Sequence, residues 1–304
     1  MSATKLESVF SLARLKASRH EKLHPPAETT PSFKGKTVLI TGANTGVDFE
    51  AALKFAKLGA SQVILGSRSL QKGEDAAAKI KTLVPNCGTI VVWTLDMLDY
   101  ESIKEFARRA EEEIERLDIA ILNAGVVKAK HEASRYGWEQ TLQVNVISTA
   151  YLALLLLPTL RASRTTTSRP VLIPISSDVH ETVLALDPAA TSDPQGILEF
   201  YSRASTFDSV RQYAVSKLFL EYCICALAAL TKPKDPDVLV ISTAPGATAS
   251  GLAHEQPAVL RAAFTLYTAV FQRKTEEGAR SYVSAAALGP EAHGRFWQSD
   301  ELRE

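Results

Sequence analysis

The sequence predicts an α/β protein, a doubly wound parallel sheet with helices on both faces, and three observations predict it. Short apolar runs rich in β-branched residues alternate with longer segments of helical apolar spacing from residue 36 onward. The first run breaks at a glycine turn, Thr41-Gly42-Ala43-Asn44-Thr45-Gly46, and a helical pattern follows it. Polar residues then recur where later runs end, which is where ligands bind in open sheets of this kind.

Composition narrows the function. The chain has 304 residues, 46% hydrophobic and 22% charged, long enough to bury a sizeable core. Its 34 basic residues balance 34 acidic ones, so nucleic acid is not expected as a partner and a small-molecule substrate is. Three cysteines, Cys87, Cys223 and Cys225, make no disulfide framework and point to a cytoplasmic, reducing location. Met1 to His20 lacks a secretory apolar run, though Arg14, Lys16, Arg19 and Lys22 leave a weak organelle-targeting reading. The apolar block Val144 to Leu160 contains Asn145, Ser148, Thr149 and Pro158 and reads as a buried helix, without stable membrane insertion. Residues 1–32 read as an extension, a loosely docked helix followed by a Pro25-Pro26 linker, before one domain at 33–304.

In chain order, the first strand is Lys36 to Ile40, and Phe49 to Leu58 is the helix behind the glycine turn. Glycines there let backbone approach a phosphate, with free N–H groups and a positive dipole end behind them. The second strand, Ser61 to Leu65, leads to Gly66-Ser67-Arg68. No acid stands at its end to take a ribose 2′-hydroxyl, and Arg68 suits a 2′-phosphate, which favours NADP(H) over NAD. Further strands are expected at Thr89 to Leu95 before Asp96-Met97, Asp118 to Leu122 before Asn123-Ala124-Gly125, Val171 to Ile175 before Ser176-Ser177, and Val238 to Ser242 before Pro245-Gly246. Helices are expected at Tyr100 to Arg116, Glu139 to Leu160 and Tyr213 to Leu230.

Tyr213 and Lys217 stand four apart on the last of these helices, so phenol and ammonium share a face. A nearby cation favours the phenolate and draws a pKa of about 10 toward working pH. Such a tyrosine can exchange a proton with an alcohol or carbonyl oxygen.

The ordered set resembles the short-chain dehydrogenase/reductase family from Lys34 to Trp297, in its retinol-dehydrogenase-like and fungal secondary-metabolite branch. The resemblance rests on Thr41 to Gly46, Asp96, Asn123-Ala124-Gly125, Asn145, Ser177, Tyr213 with Lys217, and Pro245-Gly246. It implies a single Rossmann-like domain with a seven-stranded sheet, Arg295-Phe296-Trp297 being the seventh strand. Tyr213 then looks like the acid/base and Lys217 its pKa-lowering, ribose-binding partner. Ser177 looks like the hydroxyl that orients the substrate, and Asn145 like the holder of a water behind Lys217. The cofactor-binding set it implies is Gly42, Asn44, Thr45, Gly46, Val47, Ser67, Arg68, Asp96, Met97, Asn123, Ala124, Gly125, Tyr213, Lys217, Pro245, Gly246 and Thr248, with no metal. Family members often dimerise, and the helices after Asn145 and Tyr213 are apolar enough for a homodimer face.

Four departures matter. A long insert at 181–211, with Leu198, Phe200, Tyr201 and Phe207, either walls the substrate pocket or is a longer surface loop; His180, just before it, either reaches the site or is a surface or core residue, as a lone His more often is. Leu122 stands where the family often has a second Asn. Thr248 and Ser250 follow Pro245-Gly246, and an apolar segment within 247–275 is either a lid or core. Asp48 takes the place of the glycine motif's last Gly. A carboxylate about 4 Å from a pyrophosphate costs about 1 kcal/mol in water and about 4 kcal/mol at an effective dielectric of 20. If Asp48 instead turns back to cap its own helix, cofactor binding survives, and its company favours survival.

The expected function is NADP(H)-dependent interconversion of a ketone or aldehyde and an alcohol on a bulky apolar molecule of secondary metabolism. Two rivals stand beside it. One is a non-redox dehydratase, isomerase or cyclase, motivated by Asp48; the other is a non-catalytic ligand-binding protein on the same scaffold.

Overall fold

The computed structural model describes residues 5–6, 11–232, 234–248 and 270–303. The apolar runs are strands, buried almost throughout in β2 (Thr37–Thr41), β3 (Gln62–Ser67), β5 (Ile119–Leu122), β6 (Val171–Pro174) and β8 (Leu239–Val240) and only at Ile90 and Trp93 in the edge strand β4 (Thr89–Thr94). They form one sheet in the order β4-β3-β2-β5-β6-β8, with every pairing parallel. The chain moves outward from β2 to β4, returns to β5 beside β2, and moves outward the other way. The crevice between β2 and β5 is therefore the switch point where such sheets take ligands.

Strand periodicity divides the core. Val38, Ile40, Val63, Leu65, Ile119 and Ile121 pack against the layer of α2 (Gly46–Lys57), α3 (Leu70–Leu83) and a late helix, Thr275–Ala285. Their alternates Leu39, Ile64, Ala120, Leu122 and Leu172 pack against α4 (Tyr100–Glu113), α6 (Thr149–Ala162) and α9 (Ser209–Leu230).

The expected seventh strand sits apart from the six. It is β10 (Phe296–Gln298), which pairs in parallel with β9 (Ser242–Thr243) and carries an antiparallel partner, β11 (Glu301–Arg303). Ile241 separates β9 from β8, so the main sheet counts six. The helix expected at Glu139 to Leu160 is also broken: Glu139 caps a single turn, α5 (Gln140–Leu142), and a π-helical turn, Gln143–Ser148, precedes α6.

The insert folds. It supplies β7 (Val183–Ala185), α7 (Pro188–Thr191) and α8 (Ile197–Ser202), and Phe200 and Tyr201 enter a third apolar cluster with Leu142, Val146, Val215 and Phe219. The N-terminal extension is not loosely docked. Short β1 (Lys5–Leu6) pairs with β7, and α1 (Leu12–Leu23) reaches Asp178 through Arg14 and Gln298 through Glu21. The Pro25-Pro26 linker is held where Arg280 donates to the Pro26 carbonyl. Ser250 and the centre of the expected lid, 249–269, lie outside the described residues; Thr275–Ala285 is α10 here. The stretches Gln140–Ala162 and Ser209–Leu230 are apolar and long enough to cross a membrane, yet 67% and 50% of their most apolar windows are buried in the fold.

Helix α3 rides close on β4 because Gly73 faces it: an added Cβ would lie 2.4 Å from Val92 Cγ1 and 3.2 Å from Ser67 Cβ. In an open helix Gly→Ala would gain about 1 kcal/mol. Here we expect Gly73→Ala to cost about 1–3 kcal/mol instead through overpacking. In urea denaturation, Val92→Ala in the same chain should recover part of that loss; strictly additive losses would show that α3 shifts freely.

Candidate active site

The site opens at the end of β2. Thr41 Oγ1 accepts the N–H groups of Asn123 and Ala124, both at 3.0 Å, and ties the first glycine turn to the end of β5. Gly42 and Gly46 hold φ of +84° and +70°, which side chains resist. Any Cβ on Gly42 would also press on Ala124 Cα at 3.3 Å. Thr45 makes no side-chain cap for α2, so the first N–H groups of that helix have no side-chain acceptor there, as an anion site requires.

A cavity of about 510 Å³ lies over this turn. The turn contributes Gly42, Asn44, Thr45, Gly46 and Val47; beyond β4, Asp96 and Met97 line it, and beyond β5, Asn123, Ala124 and Gly125. Pro245, Gly246 and Thr248 close it on the far side, and exposed Arg68 stands at its edge. Ser67 does not face it: buried, its hydroxyl donates to the Ser69 carbonyl. Asp96 accepts from the Leu98 N–H, and Asn123 Oδ1 accepts from the Tyr282 hydroxyl at 2.6 Å. Tyr282, on α10, also lines the cavity and was not singled out in the sequence, since nothing local marks a tyrosine 65 residues beyond Lys217 as its neighbour.

Ser177, Tyr213 and Lys217 meet in the same cavity. Ser177 is hydrogen-bonded to the Tyr213 hydroxyl, whereas the buried Ser176 hydroxyl has no partner, so the second serine of the pair is the one that faces the tyrosine. Lys217 Nζ donates to the Ile175 carbonyl at 2.8 Å and lies 5.8 Å from the Tyr213 ring centre. Asn145 does not line the cavity. It sits in the π-turn, accepts from the Val126 N–H and donates to the Val126 carbonyl and Ser216, behind Gly125 and Lys217. His180 turns away, its Nδ1 2.6 Å from the Ser177 carbonyl oxygen and its ring edge-on to Phe296. No residue of 181–211 lines the cavity, so the insert's aromatic side chains do not form its wall.

The electrostatics reverse the expectation for Tyr213. Burial pushes its hydroxyl up to about 12, the Ser177 hydrogen bond opposing and the Asp178 charge adding to the rise; Lys217 does not offset it. Burial likewise lowers Lys217 to about 8, against the upward pull of Glu221 and Asp48. At neutral pH the pair is thus a neutral phenol beside a mostly charged amine, set to donate a proton.

Asp48 does not turn back onto its helix. Its Oδ2 lies 3.3 Å from where a Gly42 Cβ would stand, it lines the cavity, and it makes no hydrogen bond among the described residues. Protein surrounds it on every side but the cavity, so it keeps some accessible surface while burial dominates its titration. That burial holds its carboxyl well above the usual range, with the Lys217 ammonium pulling the other way. Tyr282, its hydroxyl raised by burial and by the Asp48 charge, faces it as a neutral phenol. The glycine cradle, the uncapped helix start and Arg68 fit a dinucleotide, and the upward shift of Asp48 lessens the charge it would set against a phosphate.

The short chain dehydrogenase family profile matches residues 36–187. The chain is 39% identical over 301 residues to the short-chain dehydrogenase/reductase ffsI of Aspergillus flavipes, covering 99% of this chain and 87% of that protein.

This protein is a short-chain dehydrogenase/reductase.

Its likeness to the short-chain dehydrogenase/reductase phmF of Phaeosphaeria nodorum is 41% identity, over 93% of this chain and 83% of that one. Among solved structures, a short chain dehydrogenase from Escherichia coli CFT073 complexed with NADPH shares the fold at TM-score 0.64 and 22% identity, covering 90% of this chain and 100% of that one. One from Mycobacterium marinum does so at TM-score 0.65 and 19% identity, covering 88% and 94%. Members of the family bind NAD(P)(H) and act on small molecules.

In this short-chain dehydrogenase/reductase the raised Asp48 carboxyl, beside the Gly42 turn, leads us to expect dinucleotide binding that depends on pH. A carboxyl raised by folding is neutral below its folded pKa and ionises as pH climbs through it, so both phosphate affinity and its contribution to stability fall with rising pH. Titrating NADP⁺ by calorimetry at a series of rising pH values, we expect Asp48→Asn to gain in affinity relative to wild type as pH rises. The gap should be a few-fold to several-hundred-fold, from about 1–4 kcal/mol of repulsion, and close toward acid pH. Parallel curves for the two proteins would place Asp48 away from the phosphates.

Proposed function

We propose that the protein is an NADP(H)-dependent oxidoreductase that reduces a ketone or aldehyde to an alcohol on a small molecule of secondary metabolism. The observation that carries this reading is the meeting of Ser177, Tyr213 and Lys217 in one cavity with the glycine cradle of α2. Arg68 at the cavity edge, with no acid at the end of β3, supports NADP(H) over NAD(H). Fungal relatives that match nearly the whole chain support the metabolic setting.

The bound cofactor would supply the hydride. Ser177 and Tyr213 hydrogen-bond the carbonyl oxygen and hold its carbon at a fixed height above the cofactor cradle. Tyr213, a neutral phenol at working pH, gives its proton to the oxygen as negative charge develops there. Lys217, charged over most of the neutral range, stabilises the phenolate left behind. Asn145 holds the Val126 segment and Ser216 and so keeps the path behind Lys217 in shape. A cytoplasmic location goes with three cysteines that form no disulfide. A homodimer goes with Leu154, Tyr222 and Leu230, which expose apolar surface on α6 and α9.

One observation favours a second reading. Asp48, which lines the cavity beside the Gly42 turn and makes no hydrogen bond among the described residues, suits a non-redox reaction such as dehydration or isomerisation, in which the cofactor serves little.

Absorbance at 340 nm with NADPH and a panel of aryl and alicyclic ketones separates the two. Tyr213→Phe should lower turnover by about 10²–10⁴-fold while NADPH affinity, read by fluorescence, stays within about twofold. Arg68→Ala should weaken NADPH about tenfold or more and leave NADH unchanged, an ion-paired phosphate being worth at least about 1.4 kcal/mol. Wild-type protein that binds NADPH yet oxidises none of it, while converting a hydroxyketone to its dehydrated product, would favour the non-redox reading.

A further inference from the structure

Helix α1 is docked in an unusual way. It buries no residue completely, and Leu12 and Leu23 are exposed at 69% and 65%, so apolar burial does not hold it. Its half-buried face is Ser11, Arg14, Leu15, Ser18, Glu21 and Lys22, the spacing of one helical stripe. Two charged residues on that stripe make the contacts of interest. They stand seven residues apart, about two turns or 10 Å along the axis.

Arg14 reaches the loop that carries the catalytic serine. Its guanidinium donates to Asp178 Oδ2 at 3.2 Å and to the Asp178 carbonyl at 2.9 Å. Asp178 follows Ser177 directly, its Oδ1 accepts from the Ser177 hydroxyl at 3.4 Å, and its charge is felt by Tyr213. Arg14 thus fixes both the backbone and the carboxylate next to Ser177.

Glu21 reaches a second loop of the cavity wall, Pro245-Gly246-Ala247. Its carboxylate accepts from the Ala247 N–H and from Gln298 Nε2. Gly246 holds φ of +69°, and a Cβ there would stand 2.9 Å from Glu21 Oε2 and 2.8 Å from Arg273 Nη1, so a side chain would be strained and would also displace both ends of the joint. Arg273, fully buried, completes the joint: it donates to the Glu21 carbonyl, the Pro245 carbonyl and Ser299. One helix face therefore grips Ser177-Asp178 at one end and Pro245-Gly246-Ala247 at the other.

We infer that α1 is a clamp that sets the separation of two loops lining the cavity, the one at Ser177 and the one at Pro245-Gly246, with Arg14 and Glu21 as its positioning residues. The N-terminal extension is then a working part of the active site. This goes beyond the redox reading, because any chemistry using Ser177 and Tyr213 needs the same separation.

The test uses the full chain and four variants: Arg14→Gln, Arg14→Lys, Glu21→Gln, and Lys16→Gln on the exposed face as control. Hydrogen exchange needs no substrate. Arg14→Gln should speed exchange in peptides covering 176–182, and Glu21→Gln in those covering 244–248, by about tenfold each, with the sheet strands unchanged. With a ketone turned over by wild type, Arg14→Gln should lower kcat by about 10–100-fold at unchanged NADPH affinity, as misplacement of reacting groups does, and Glu21→Gln should lower kcat as much while weakening NADPH as well. Arg14→Lys should recover part of that loss, and Lys16→Gln should match wild type. Unchanged exchange at both loops, or faster exchange throughout the sheet, overturns the clamp. So does faster loop exchange with kcat intact. If no ketone is turned over, the redox reading falls and the exchange pattern alone decides the clamp.

Discussion

One hydroxyl sets the frame of this site. Thr41 Oγ1 accepts two backbone N–H groups from the far side of the switch point, those of Asn123 and Ala124. Adjacent strands in the sheet are held by ladder bonds up to Leu122, but past it the chain leaves the sheet and has no strand partner. Without the Thr41 bridge those N–H groups would need water inside a crevice otherwise walled by backbone. With it, the glycine turn and the Asn123 loop keep one separation, and Ala124 backs closely on Gly42. Asn123 is then presented to Tyr282, which draws α10 over the crevice. The cavity's floor, its glycine cradle and its far helix all follow from that contact.

Burial then decides which groups carry charge. Asp48 and Lys217 would make a favourable pair in water, yet burial drives the carboxyl up and the amine down. Each resists the other's shift only partly, because they meet across the cavity, with no direct hydrogen bond between them. Tyr282 and Tyr213, both raised, add hydroxyl dipoles and no charge. An anionic phosphate entering such a site would meet Lys217 and the α2 dipole as its positive partners. The same phosphate would favour the neutral form of Asp48 still further, since like charges within a few ångström cannot both be sustained at low cost.

Much of this was legible in the sequence, and the reasons are local. The alternation of β-branched runs with helical spacing reports the sheet, because each strand is buried on both faces and each helix on one. The glycine turn, Ser177 and the Tyr213-Lys217 pair are short-range patterns, and they do meet. What escaped were contacts made at long range. Tyr282 joins the cavity from α10, and Arg14 and Glu21 act across more than 160 residues of chain. The direction of the Tyr213 shift escaped as well: spacing places Lys217 on the right face but says nothing of how dry that face is. Ser67 shows the opposite error, a residue at the right position whose hydroxyl is satisfied by its own turn.

The insert shows why a loop of substrate-pocket length need not touch substrate. Glu139, fully buried, uses its carboxylate to cap α5 through the N–H groups of Thr141 and Leu142 and to accept from Gln212 Nε2. Gln212 also donates to the Tyr201 carbonyl, and the Tyr201 hydroxyl accepts from the Asp187 N–H. The insert is thereby bolted to the residue immediately before Tyr213. A buried carboxylate with three donors is costly to disturb, since removing any one leaves charge unmatched in a dry interior. Asp208 caps the same end of α9 through the Arg211 N–H. Phe200 and Tyr201 pack against Val215 and Phe219, on the turns that follow. The long span between Ser177 and Tyr213 therefore fixes the start and the rotation of the helix that presents the tyrosine, and its aromatic residues are spent on that support.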